Sequence, residues 1–203
     1  MTEEFKASML KAMQPLEGWC WPEKACVMAD IVIEHKPDIC VETGVFGGKS
    51  AIPIAMALRE VGNLGVLWAI DPWSKSAALE GLQGVEHIEW WSNVDLEGIY
   101  YGFVRSTLAL ELGYHLRWLR TTSRQASDMF PDRCVDFFHQ DSNHSEEVSC
   151  AEAKLWAPKL KRKAFWIFDD ADWRSTQQAM KLIESYGFKA VNDDEKYRVF
   201  QRT

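Results

Sequence analysis

The sequence has no apolar run of the ~20 residues that a membrane-crossing helix needs. Met1–Lys11 is too polar for a secretory leader. Basic charge is in deficit: 23 Lys and Arg stand against 30 Asp and Glu, for a net charge of −7. That balance argues against a nucleic-acid or anionic-membrane surface, because phosphate binding needs a basic patch. The local exception, Lys159–Lys163, carries four basic residues in five and reads as a solvated turn. Paired cysteines are missing too. Cys20, Cys26, Cys40, Cys134 and Cys150 are widely spaced, odd in number, and form no CxxC pair or Cys/His metal spacing. Cys40 and Cys134 fall in predicted strands, where cysteine behaves as a small apolar residue. All five are expected to be reduced, and the expected compartment is cytoplasmic. No internal repeat or low-complexity segment interrupts the chain, and 203 residues suit a single domain, 1–203.

What is present is organised around Ile39–Ser50. A short apolar run ends in a carboxylate, Glu42, and three glycines, Gly44, Gly47 and Gly48, follow closely. The apolar segment Ala51–Leu58 comes next. The pattern predicts a strand, a tight turn, and a helix whose start offers unpaired N–H groups to the turn. On these residues alone, a purely structural turn remains the alternative.

The rest of the chain alternates helix and strand. Helices are predicted at Glu3–Met13, Glu23–His35, Lys49–Glu60, Ser145–Trp156 and Ser175–Tyr186. The face of Ser145–Trp156 is read as Val148, Ala151 and Leu155, and Ser175 with Gln178 reads as a capping box. Strands are predicted at Ile39–Glu42, Val66–Asp71, Leu116–Thr121, Cys134–Gln140 and Ala164–Phe168, followed by a hairpin of Phe188–Val191 and Tyr197–Phe200. Such alternation predicts an α/β fold: a mostly parallel sheet with helices on both faces and an antiparallel last strand. Pro72–His115 is far longer than the dozen or more residues a crossover needs. It reads as one crossover helix, about Leu96–Leu112, preceded by an aromatic-rich insertion. That insertion is either a lid or acceptor pocket, or padding and a dimer contact.

Ligands of open parallel sheets sit beyond the C-terminal strand ends. Here those ends carry Glu42, Asp71, Asp141, and the Asp169–Asp170 pair. Five carboxylates at one rim repel one another unless cations or hydroxyl donors bind there. Asp71, ending strand two, is placed to accept hydrogen bonds from both ribose hydroxyls of a nucleoside. A GxGxxG pattern is lacking, which weighs against a nicotinamide dinucleotide.

Glu42-x-Gly44-x-x-Gly47-Gly48-x-Ser50 resembles the first motif of class I S-adenosylmethionine-dependent methyltransferases. Asp71-Pro72-Trp73 looks like their second acidic position. Phe138–Ser145 together with Phe168-Asp169-Asp170 is similar to the subgroup of cephalosporin hydroxylase and the macrolide and aminocoumarin sugar O-methyltransferases. So are Gly18-Trp19-Cys20, Glu23-Lys24-Ala25 and the Trp156-x-Pro158 region. The resemblance implies a Rossmann-like seven-stranded sheet. It implies that Glu42, Gly44, Gly48, Ser50, Asp71, Trp73, Ser123 and Asp141 line S-adenosylmethionine. It further implies that Mg²⁺, in metal-using members, is held at positions matching Asp141, Asp169 and Asp170. The chain departs from the subgroup at Ser142, where glycine is usual, at Asn143, where an Asp is thought to act as base, and at Arg162-Lys163, where a glycine pair is usual.

Methyl transfer asks the protein mainly to align acceptor oxygen, methyl carbon and sulfur, and to take the acceptor's proton. Asn143 has no basic site, so His144 becomes the candidate base, with Asp141 beside it; an imidazole near ~6.5 suits that task at neutral pH. The competing structural reading makes Asn143 a helix cap with Glu146 and leaves His144 stacking. His139, inside a strand, reads as a satisfied core histidine. The expected activity is O-methylation of a hydroxylated small molecule such as a sugar or glycan precursor, with a homodimer as an added expectation. Two alternatives stand beside it: a non-catalytic cofactor-binding member of the fold, and a nicotinamide-dependent oxidoreductase.

Overall fold

The computed structural model describes residues 1–81 and 84–203. Helix α1 (Glu3–Met13) starts where the Thr2 hydroxyl accepts from Phe5 N, and it buries Phe5, Met9 and Met13 along one side. Helix α2 (Pro22–His35) has proline in its first turn and stops at Lys36, which takes a left-handed conformation just before Pro37. Strand β1 (Ile39–Thr43) runs into the glycine turn, and helix α3 (Ala51–Val61) follows. Every residue from Ala51 to Leu58 is buried, so α3 is a core helix rather than an amphipathic one.

Strand β2 (Val66–Ile70) pairs parallel to β1. In the interval after it the expected crossover helix forms, and the inserted segment before it is helical too. The interval holds α4 (Lys75–Ala78), α5 (Val85–Asn93) and α6 (Leu96–Ala109). Within the predicted insertion, Leu82 and Gln83 lie outside the described residues. Asp95 caps α6 through Gly98 N, and that helix stops short of the expected Leu112. Strand β3 (Leu116–Leu119), helix α7 (Ser123–Ser127), strand β4 (Val135–Gln140) and helix α8 (Glu146–Trp156) complete the middle of the chain. Cys134 lies just before β4 and is only partly buried. All five cysteines are free thiols.

Strand β5 spans Leu160–Asp169, and this corrects the solvated-turn reading of Lys159–Lys163. The pairing of β4 with β5 shifts register between Val135 and Phe137, and Lys163 has a φ of 67°. A bulge absorbs the basic run inside the strand, and Lys161 pairs with Asp136. Helix α9 is Gln177–Ser185 with a preceding single turn, so the Ser175–Gln178 capping box is not formed. In α8 the buried residues are Ser149, Glu152, Ala153 and Trp156, one position round from the apolar face expected. Strands β6 (Phe188–Ala190) and β7 (Tyr197–Arg202) form the closing hairpin.

The sheet order is β3-β2-β1-β4-β5-β7-β6, parallel except at β7, which pairs antiparallel to both neighbours. The expected seven-stranded, mostly parallel fold is therefore the observed one. Two apolar cores flank it. One joins α1, α2, α3 and α6 to one face; the other joins α7, α8 and α9 to the opposite face. The aromatic residues of the insertion divide between roles. Trp73 and Phe103 are buried core, whereas Trp90 packs edge-on to Trp19 and stays 43% exposed. Among the described residues, no helix is long and apolar enough to cross a membrane.

Candidate active site

The site lies where β1, β2, β4 and β5 end. β1 and β4 pair in register, so Glu42 stands opposite His139 and the Thr43 carbonyl receives Asp141 N–H. The rim carboxylates do not share one ligand space. Four of the five, Glu42, Asp71, Asp141 and Asp169, are engaged by donors of the protein itself, and Asp170 stands apart, 3.6 Å from His144 Nδ1.

Glu42 is fully buried, and its Oε1 accepts from the Ser50 hydroxyl at 2.6 Å. Its Oε2 has no hydrogen-bond partner and lies 3.6 Å from His139 Nδ1. Ser50 therefore ties the end of β1 to the start of α3. Asp71 binds the glycine turn: Oδ2 accepts from Val45 N and Phe46 N, both at 2.9 Å, and Oδ1 accepts from Trp73 N at 2.6 Å. Burial pushes its carboxyl above the ordinary aspartate range, while these three donors pull it back. A carboxylate offers about four lone-pair positions, and three are taken. About one position is left for the ribose hydroxyls that the sequence assigns to Asp71.

The glycines are required by packing. Gly44 and Gly48 have φ of 83° and 82°, and a Cβ would run into the Asp141 backbone at Gly44 and the Phe103 ring at Gly48. Trp73 covers the turn, its indole N–H donating to the Phe46 carbonyl at 2.8 Å and its ring stacked on Phe103. Ser123, expected near the adenine, opens α7 and accepts from Trp156 Nε1 at 2.8 Å.

Lys24, which the sequence reading did not single out as a site residue, enters from α2. Its side chain is 1% exposed, with Nζ 2.7 Å from Asp169 Oδ1 and 3.4 Å from Asp141 Oδ2. Burial opposes the ammonium, but the two carboxylates outweigh burial and hold its pKa above the usual lysine value. Burial likewise opposes ionisation of Asp169; the Lys24 charge wins, and Asp169 is drawn down to about 2. Asp141, farther from the ammonium, moves upward through burial and the charge of Asp169. A signal for Lys24 existed. It precedes Met28 by one helical turn, a charge on the apolar face of α2.

Asp170 takes a left-handed φ of 48° and points elsewhere: its Oδ2 is 3.6 Å from His144 Nδ1. Burial and the neighbouring Asp169 raise it to about 6. His144 Nε2 is 3.9 Å from Asp141 Oδ1, and burial depresses its pKa to about 4, so the ring is neutral at pH 7. Trp173 and His87 extend outward from it, with ring centroids 5.6 Å (His144–Trp173) and 5.8 Å (His87–Trp173) apart.

Two expectations for this loop need correction. Asn143 is not the cap of α8. Ser145 is, accepting from Val148 N, while Asn143 donates to the carbonyls of Ala77, Ala78 and Glu80 and so fastens α4 to the site. His139 is buried but not satisfied, since neither ring nitrogen has a partner. Burial and the Lys24 charge keep it neutral. Glu152 is a second residue missed in sequence. Buried on α8, it accepts from Ser142 Oγ at 2.6 Å and Thr43 Oγ1 at 3.4 Å, and so steadies the ends of β1 and β4.

For Mg²⁺ the donor set does not fit as expected. Ligand-capable atoms of His139, Asp141 and Asp169, not Asp170, lie within 4.8 Å of one another. The Lys24 ammonium already sits against two of the three. The acid-rich rim does suit a donor bearing sulfonium and ammonium charges, because one buried lysine leaves the carboxylates in excess.

A glycine turn after β1, an acid at the end of β2, and a reversed β7 inserted beside β5 define a methyltransferase-type α/β fold. A family model described as "Methyltransferase domain" matches residues 41–171, well over half of the sequence. The chain belongs to this family and is a class I S-adenosylmethionine-dependent methyltransferase. That sets aside the nicotinamide alternative. No curated protein matches by sequence search. Among solved structures, the O-methyltransferase NovP is similar at TM-score 0.69 and 19% identity, over 89% of this chain and 78% of that one. The O-methyltransferase TomG from Streptomyces achromogenes, involved in tomaymycin synthesis and solved with SAM, matches at TM-score 0.61 and 11% identity, over 99% and 89%. An O-methyltransferase from Bacillus cereus, solved with SAH, gives TM-score 0.61 and 11% identity over 99% and 90%.

Proposed function

We propose that this chain transfers a methyl group from S-adenosylmethionine to a hydroxyl of a small acceptor such as a sugar or glycan precursor, with His144 as the base. The observation that carries the reading is the setting of His144: a neutral imidazole between Asp141 and Asp170, at a mouth walled by Trp173. The bound donor supplies an electrophilic methyl on sulfur. Glu42, Gly44, Gly48, Ser50, Asp71, Trp73 and Ser123 would shape its site. Asp71 does so by holding the turn and offering its one remaining acceptor position. His144 is unprotonated at neutral pH and has a lone pair to take the acceptor proton, although burial makes it a weaker base than the free imidazole near ~6.5 on which the expectation rested. Asp170 and Asp141 stand where they stabilise the imidazolium that then forms. Trp173, 39% exposed, presents a ring face on which a sugar or phenol packs. The exposed Trp90 and Trp19 support the expectation of a homodimer, which sedimentation would test.

The test is a methyl-transfer assay over a panel of polyols, sugars and phenols. His144→Gln should lower kcat by 10²-fold or more, a general-base contribution of the usual size, while binding of S-adenosylhomocysteine is retained. Full activity in His144→Gln would sink the assignment.

A further inference from the structure

We propose that Lys24 is the resident cation of the strand-end acid site, so that methyl transfer by this chain proceeds without a divalent metal. The inference rests on the methyl-transfer reading above. Three groups with ligand atoms within 4.8 Å of each other, His139, Asp141 and Asp169, outline a space of the size a small cation takes. The Lys24 ammonium lies against that space, 2.7 Å from Asp169 and 3.4 Å from Asp141, and only 1% of its side chain is exposed. Its helix neighbours Ala25, Met28, Ala29 and Val32 have no exposure at all. Nothing in that apolar face holds an ammonium; the acids across the gap do.

A divalent ion held there would draw on the same two carboxylates. Mg²⁺ takes them at about 2.0–2.1 Å in near-octahedral geometry, which leaves no room for the ammonium beside them. Displaced, Lys24 would keep its charge in an apolar setting with no partner, at a heavy cost in free energy. The third acid that a metal would recruit, Asp170, is turned by its left-handed backbone toward His144. Lys24 therefore acts through Asp141 and Asp169 as a positioning residue. It fixes both carboxylates, and Asp141 in turn flanks His144.

The experiment titrates Mn²⁺ into EDTA-treated protein and follows bound metal by electron paramagnetic resonance, beside rate measurements with and without EDTA. Wild type should bind no stoichiometric Mn²⁺ below the millimolar range, and its rate should change less than twofold with EDTA. Lys24→Met should gain Mn²⁺ affinity tenfold or more, and adding Asp169→Asn should abolish that gain. Stoichiometric micromolar Mn²⁺ binding by the wild type, lost in Asp141→Asn, would overturn the proposal. So would unchanged Mn²⁺ affinity in a folded Lys24→Met. If that variant does not fold, the wild-type titration and EDTA result decide alone. Failure of S-adenosylhomocysteine to bind in calorimetry would instead remove the methyl-transfer reading and leave the metal result standing.

Discussion

Glu42 Oε2 and His139 Nδ1 face each other 3.6 Å apart across β1 and β4, both fully buried and neither hydrogen-bonded. At that separation neither tautomer of the neutral ring closes a hydrogen bond to the carboxylate. Glu42→Gln changes that, because an amide can accept from Ser50 and also donate to the imidazole. The expected outcome is a stability equal to wild type or higher by about 1 kcal/mol. Glu42→Ala removes the Ser50 acceptor and leaves a void, and should cost about 2–4 kcal/mol. Urea denaturation of the two variants checks the pair, and a large loss in Glu42→Gln would contradict this account.

Asp71 gathers Val45, Phe46 and Trp73 through their backbone N–H groups, so it is the tie between β2 and the glycine turn. Asp71→Ala leaves three donors without an acceptor and should cost about 2–4 kcal/mol; Asp71→Asn keeps one acceptor oxygen and should cost about half that. Both should weaken S-adenosylhomocysteine binding at least tenfold in calorimetry. Undiminished binding in Asp71→Ala would mean that the turn needs no such tie.

What the sequence made legible follows from locality. The alternation of strands and helices, the glycine turn and the closing hairpin are written in neighbouring residues, and all of them form. The positions of Glu42, Asp71, Asp141, Asp169 and Asp170 at one edge follow from that alternation. Their partners do not. Lys24 reaches Asp141 and Asp169 from another helix, and Asn143 reaches Ala77 from another loop; no spacing rule connects residues so far apart. Glu152 was hidden for another reason. The exposed and buried faces of α8 are set by the sheet it lies on, and its apolar residues mark a stripe one position away from the buried one. At Lys161–Lys163, composition points to a turn, but the ladder with β4 on either side overrides it through a bulge.

The pH dependence of stability should carry the mark of His144. Its folded pKa, about 4, lies below its unfolded value near ~6.5. Below that unfolded value the denatured chain binds a proton that the folded chain does not. Stability from the neutral ring is therefore present above pH ~6.5 and is lost as pH falls toward 4, at no more than about 1.4 kcal/mol per pH unit. Asp170, raised to about 6, has the opposite sign: its penalty is present above 6 and fades as pH falls. His144→Gln removes the first contribution and leaves the second. Relative to wild type, this variant should gain stability steadily between pH 6.5 and 4. A constant difference across that range would show that the ring titrates normally.

The start of α9 separates two adjacent hydroxyls. By its spacing Ser175 looks like the cap, yet no capping bond forms there, and it belongs to the single turn that precedes the helix. Thr176 has no exposure, and its single hydroxyl proton is shared between the carbonyls of Asp170 and Trp173, each 2.8 Å from Oγ1. Thr176 therefore closes the loop that carries Asp170 and aims Trp173 at His144. Ser175→Ala should change stability by less than about 0.5 kcal/mol, in the range of ordinary surface substitutions. Thr176→Val keeps the shape, loses that shared bond and should cost about 1–2 kcal/mol. Because the loop carries Trp173, the proposed acceptor platform, Thr176→Val should also raise the acceptor KM more than it lowers kcat. Thermal melts and steady-state kinetics of the two variants check this, and a Ser175→Ala that costs as much as Thr176→Val would return the cap to Ser175.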